Sequence, residues 1–205
     1  MDIKDRITQK SGELFISYGI KNVSVDEIAS SMGVSKRTIY ENFKDKEDIL
    51  LECLKMFYEQ KRNDLRESEE KSNNVIDLFL NTGAFSEAVR KIPSIKFFED
   101  IEKYYPRGKQ YIANQKQENF DLTKMYIERG VREGVFRDNL NVEIAAFIVH
   151  DTHSYTFTRA AQFDAFPFSH RELFFTMVIN FIRGISTEKG IKIIDDYLKN
   201  NPYKP

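Results

Sequence analysis

With 205 residues, the chain can form one large domain or a small one joined to a larger one. A formal charge of −1 gives no global attraction to nucleic acid, so any DNA contact has to come from a local patch. The only cysteine, Cys53, rules out disulfide staples within the chain and a Cys-rich zinc site.

Residues 3 to 18 are expected to form a first helix, with Ile3, Ile7, Leu14, Phe15 and Tyr18 on roughly one side. Gly19 is its expected C-cap, and Ile20 folds back. Ser24 is an N-cap, and Glu27 three residues later completes a capping box. Val25, Ile28, Ala29 and Met32 then make one apolar stripe on a second helix, which Gly33 stops. Ser35 caps a third helix at once, and Val34 can staple onto Ile39. Ile39 and Phe43 make its inward face, while Lys36, Arg37, Thr38 and Tyr40 face outward.

Helix, short Gly turn and helix is the arrangement whose second helix enters the DNA major groove. The outward residue types suit that use. Arg and Lys pair with guanine edges or phosphates, Thr touches bases, and Tyr donates to a phosphate. Residues 1 to 46 hold eight Lys/Arg against seven Asp/Glu, so the case rests on placement. Lys36, Arg37, Lys44 and Lys46 cluster at the proposed recognition helix and just beyond it. Lys4, Arg6 and Lys10 are read as a solvated face of the first helix.

The order Ser-Val-Asp-Glu-Ile-Ala, Met-Gly-Val-Ser-Lys-Arg-Thr-Ile-Tyr, then Asn-Phe-Lys-Asp-Lys-Glu-Asp-Ile-Leu resembles the N-terminal DNA-binding domain of the TetR family of bacterial regulators. The resemblance covers roughly residues 5 to 50. It implies that Lys36, Thr38 and Tyr40 face DNA, with Tyr40 and Lys46 on phosphates. Ser24 and Val25 are placed near a phosphate through backbone N–H groups. Arg37 stands where many members carry a small residue or Pro and is expected to add a contact; Glu41 either repels the backbone or accepts from a cytosine amino group. The DNA-binding set is therefore Ser24, Val25, Ser35, Lys36, Arg37, Thr38, Tyr40, Lys44 and Lys46.

Asp45 caps a fourth helix running to about Glu70, with Cys53 on its apolar stripe as a small buried residue. Beyond it the chain turns aromatic: fourteen of the seventeen Phe follow Phe57. Helices are expected from Val75 to roughly Arg90, from about Pro93 to Tyr104, and from about Gln110 to Glu133, with a breaker at Tyr104-Tyr105-Pro106-Arg107-Gly108. Two more run over about 141 to 162 and 170 to 186, and Ile191, Ile194, Tyr197 and Leu198 mark a short last one. The 170–186 helix is apolar on more than one face, and Ala145, Ala146, Ala160 and Ala161 in the helix before it allow close approach. That pair resembles the four-helix dimer interface of the TetR family.

The expected fold is all-α. Residues 1–46 form a three-helix helix-turn-helix DNA-binding domain, and residues 47–205 a larger helical effector-binding and dimerisation domain. In this family the same helices enclose a small-effector cavity, for which Phe98, Tyr105, Phe120, Tyr126, His150 and His153 are candidates. His150 and His153 share a helical face but lack a third ligand, so no metal is expected. No nucleophile elbow or phosphate-binding Gly loop appears, and no cofactor or catalytic residue is assigned. The function expected is a dimeric repressor released from a palindromic operator by a small-molecule effector. The alternatives are a ligand-independent dimeric regulator, its cavity filled by phenylalanines, and an enzyme on a borrowed helical fold. With no membrane span and no signal peptide seen, a cytoplasmic location is expected.

Overall fold

The computed structural model of the protein describes residues 2–83, 95–158, 167–168 and 170–200. Ten α-helices are found among them: α1 (Ile3–Tyr18), α2 (Val25–Met32), α3 (Lys36–Asn42), α4 (Lys46–Lys71), α5 (Val75–Gly83), α6 (Ile95–Tyr104), α7 (Pro106–Arg132), α8 (Val142–Thr158), α9 (His170–Ile185) and α10 (Glu188–Asn200). The only β-type pairing among the described residues is an isolated bridge, Phe136 to Ser186. The fold is all-α, as the apolar periodicities imply. Positions 84–90, 93–94 and 159–162 of three expected helices, Ala160 and Ala161 included, lie outside the described residues.

Two compact units are present, Met1–Lys61 with Lys91–Gln115, and Arg62–Arg90 with Lys116–Pro205. The first is built on the three N-terminal helices. Ile7 and Phe15 of α1, Ile28 of α2, and Ile39 with Phe43 at the end of α3 are all but fully buried together. Leu50 and Leu54 of α4 and Phe97 and Ile101 of α6 complete the same core, so this unit extends well past residue 46. Tyr18, expected on the inner side of α1, is 63% exposed instead. It is the last residue of the helix, and the chain turns away at Gly19. Cys53 is buried, its thiol donating to the Thr8 carbonyl oxygen at 3.1 Å. Burial pushes that thiol up to about 12.

The expected break at 104–108 shrinks to one residue, Tyr105, and α7 starts at Pro106. Proline is tolerated there because the first N–H groups of a helix lack intrahelical partners in any case. Gly108 continues the helix, packed where a Cβ would sit 3.2 Å from Leu50.

The second unit packs α5, α9 and α10 with the later part of α7 and with α8 around Ile76, Ile127, Phe136, Ala146, Ile182 and Ile194. Glu133 accepts from the Val75 N–H at 2.9 Å and so caps α5. At the α7–α8 corner, Arg137 N–H donates to the Ile185 oxygen and Thr187 N–H to the Val135 oxygen, each at 3.0 Å. Gly130 permits this corner, since a Cβ on it would run into the Phe136 ring and Val75. Ala145 and Ala146 are 4% and 0% exposed and face this core, where their small side chains pack closely. Apolar residues of α8 turned outward are Ile144 and Phe147, each 57% exposed, and Ile148. No helix among the described residues is long and apolar enough to cross a membrane.

Candidate nucleic-acid interface

The recognition element is held by side chains of its own sequence. Ser24 accepts from the Glu27 N–H at 3.1 Å, and Glu27 accepts from the Ser24 N–H at 2.6 Å and hydroxyl at 2.8 Å. Those donations from Ser24, backbone first and hydroxyl second, hold the Glu27 carboxyl below its usual range. Because the hydroxyl proton is spent on Glu27, the donors left at the start of α2 are backbone N–H groups. Val25 fits that role, since its side chain is only 7% exposed and serves the core.

Gly33 then turns the chain at φ 65°, ψ 30°, a left-handed conformation that glycine adopts without steric cost. Its N–H and that of Val34 close back on α2, the latter donating to the Ala29 oxygen at 3.1 Å. Ser35 caps α3 by accepting from the Thr38 N–H at 3.0 Å, and its hydroxyl shares a hydrogen bond with that of Thr38 at 2.8 Å. With Ile39 and Phe43 fixed in the core, the opposite face of α3 is turned outward.

That face carries Lys36, Arg37 and Tyr40. Lys36 donates to Asp26 on α2 at 2.8 Å, which raises its affinity for its proton. Arg37, 87% exposed, pairs with Glu41 one turn on at 2.9 Å. Exposed pairs of this kind contribute little to stability and are readily exchanged for a phosphate. Tyr40 is 49% exposed. Lys44 is exposed, its N–H donating to Asp48 at 3.2 Å. Lys46 behaves differently: it opens α4, lies 5.9 Å from the centroid of the Phe15 ring, and is half-desolvated, which lowers its affinity for a proton. The carboxylates of Asp100 and Glu27 act on it in the opposite sense.

The six pocket candidates divide between the two units. Phe98 and Tyr105 pack on the core of the first unit, where Phe98 meets Phe97 edge-on at 5.4 Å. In the second unit, Phe120 meets His150 edge-on at 6.2 Å, while the Tyr126 hydroxyl donates to Glu69 at 2.7 Å. The side chain of His153 lies outside the described residues. A shallow depression beside the α7–α8 corner, lined by Val131, Phe136, Arg137 and Thr187, includes none of the six. Among the described residues, no group of three or more His, Cys, Asp or Glu is placed to hold a metal.

Two clusters in the first unit escape the motif. Arg107 donates through its N–H to Glu47 at 2.7 Å, through Nε to Glu47 at 3.0 Å, and through Nη2 to Asp45 at 2.7 Å. Asp100 accepts from the Lys21 N–H at 2.7 Å. These partners are 60, 62 and 79 positions apart, so no local pattern announces them.

The profile of the family described as bacterial regulatory proteins, tetR family, matches residues 7–53, the segment spanning α1 to the first part of α4. The HTH-type transcriptional repressor KstR2 of Mycolicibacterium smegmatis is 23% identical over 155 residues, covering 73% of this chain and 75% of its own. The biofilm operon negative transcriptional regulator IcaR of Staphylococcus aureus is 26% identical over 116 residues, 57% of this chain and 56% of its own. A transcriptional regulator from Saccharomonospora viridis, solved in complex with choline, shares the fold with a TM-score of 0.74 at 19% identity, covering 90% of this chain and 98% of that one. A capped Gly turn between two short helices, matched by the tetR-family profile over residues 7–53, gives the chain the N-terminal domain of the bacterial regulatory proteins of the tetR family, and with it the character of a DNA-binding transcriptional regulator.

Proposed function

We propose that the protein is a homodimeric repressor that binds a palindromic operator through α3 and is released from it by a small-molecule effector. The observation that carries DNA reading is the α3 face itself: Arg37 and Tyr40 project outward while Ile39 and Phe43 lock the helix from behind. The set Ser24, Val25, Ser35, Lys36, Arg37, Thr38, Tyr40, Lys44 and Lys46 makes the contact. Ser35 acts by capping α3 and Val25 through its N–H. The repressor sense is taken from KstR2, a repressor by name, and IcaR, a negative regulator by name.

Dimerisation is supported by Ile144, Phe147 and Ile148 on α8 and Met177 on α9, apolar side chains left 37–57% exposed. Apolar residues clustered in this way on a helical pair need a covering surface, and a two-fold protein matches a palindromic site. An effector that binds only the DNA-incompetent arrangement of the dimer shifts the population toward it. Residues 1–46 hold the helix-turn-helix, residues 47–205 supply the effector and dimerisation part together with the α4 and α6 side chains that complete the first unit's core, and the protein works in the cytoplasm. A ligand-independent regulator is the second reading, favoured by Tyr126, which is buried with its hydroxyl already bonded to Glu69.

The test is an electrophoretic shift of DNA flanking the protein's own gene, at low salt without effector. A discrete shifted complex of dimer stoichiometry supports the proposal. No shift on any such fragment overturns it.

A further inference from the structure

The cations of the recognition element are mostly engaged: Lys36 with Asp26, Arg37 with Glu41, and Lys46 over Phe15. Another set of cations in the same unit has no carboxylate partner among the described residues. Lys96 and Lys103 lie seven positions apart on α6, with Asp100 between them, so all three share one helical face spanning about 10 Å. That face meets the turn between α1 and α2. Lys96 lies along Gly19, where a Cβ would sit 3.1 Å from its Cγ, and Asp100 accepts the Lys21 N–H at 2.7 Å. The Lys21 ammonium donates to the Tyr104 hydroxyl at 3.3 Å and sits 4.7 Å from the ring centroid. The Lys103 ammonium is 5.2 Å from the same centroid.

Two ammonium groups thus converge on one exposed phenol. These ammonium groups, Lys103 first and Lys21 second, hold the Tyr104 hydroxyl below its usual range. Of the acids on this stretch of α6, Glu99, exposed one turn from Lys96 and Lys103, is the one left to offset the three ammonium groups. Asp100 is 4% exposed and occupied with the Lys21 N–H, and Glu102 pairs with Lys109. Three residues after Lys21 comes Ser24, which opens α2 and its outward N–H groups. The Asp100–Lys21 bond thus ties this face of α6 to the turn that leads into the start of α2.

We propose that Lys21, Lys103 and Tyr104, with Lys96 beside them, grip a phosphate of the DNA backbone alongside the start of α2. This rests on the DNA-binding reading and adds to it a contact from α6, outside the helix-turn-helix. Ammonium groups neutralise a phosphate and the phenol donates to it, while the site carries no base information.

The test compares wild type, a Lys21→Gln/Lys103→Gln double variant and a Lys21→Arg/Lys103→Arg double variant on one duplex from upstream of the gene and on a scrambled duplex. Replacing Lys21 leaves its backbone bond to Asp100 intact, and thermal unfolding checks that each variant is folded. In the Gln variant the slope of log affinity against log salt is expected to be shallower by about 1 for each phosphate that is no longer neutralised. The preference for the upstream duplex over the scrambled one stays unchanged, and the Arg variant keeps the wild-type slope. A folded Gln variant with wild-type slope and affinity overturns the proposal while the DNA-binding reading stands. Wild type that shifts neither duplex at low salt overturns both.

Discussion

Glu47 offers a sharp test of how the first unit is held. Its carboxylate accepts the Arg107 N–H at 2.7 Å and the Gly108 N–H at 3.3 Å, which caps the start of α7 from a residue in the first turn of α4. The side chain is 17% exposed, so water replaces it poorly. Removing a cap of this kind costs about 1–2 kcal/mol. The salt bridge to the more exposed Arg107 guanidinium is screened by solvent and adds little. For a chain of this size, that destabilisation lowers the thermal midpoint by about 2–8 °C. Glu47→Ala is expected to fall in that range by calorimetry or circular dichroism. Glu47→Gln, which keeps an acceptor for the N–H groups, should be destabilised by about half as much. A Glu47→Ala midpoint within about 1 °C of wild type, well under that range, would show that the cap does not hold α7.

Asp26→Asn frees Lys36 and removes an acid next to the DNA face, so affinity for any duplex should rise; weaker binding by a folded variant counts against the placement of that pair. Phe147→Asp puts a charge on the exposed face of α8 and should convert a dimer to monomer in analytical ultracentrifugation while helicity persists; an unaffected dimer would move the interface elsewhere. Cys53, pushed up to about 12 when folded, should resist a thiol reagent in mildly alkaline buffer until the protein is unfolded. Because its folded value lies above the unfolded one of 9.0, the stability it contributes is complete below that value and declines as pH rises beyond it. Rapid labelling of the folded protein would show that the thiol is accessible.

The N-terminal helices were legible in the sequence because their determinants are local. Ser24 with Glu27, Gly33, and Ser35 with Thr38 each act within three or four residues, and each caps or turns the chain as their types require. What stayed hidden depends on partners far apart in the chain. Phe97 and Ile101 belong to the core of the DNA-binding unit, yet on sequence alone they are simply apolar residues of a later helix. Ala145 and Ala146 have the small side chains that suit any close packing, and only the fold decides which surface they meet. Pro106 and Gly108 read as a break because proline and glycine usually end helices. Here Pro106 takes the first turn, and Gly108 is needed for Leu50 to approach. Lys46 sits at the position that the family motif associates with a phosphate, while the ring of Phe15 holds its ammonium from below.

Whether α3 reads DNA is decided by titrating wild type and an Arg37→Ala/Tyr40→Ala variant against the upstream duplex across salt concentration. Both side chains are exposed, so the variant should fold and melt like wild type. It is predicted to bind about tenfold more weakly or worse, with a shallower salt slope and little preference over scrambled DNA. Equal binding and equal preference in the variant would contradict the assignment of α3 as the recognition helix.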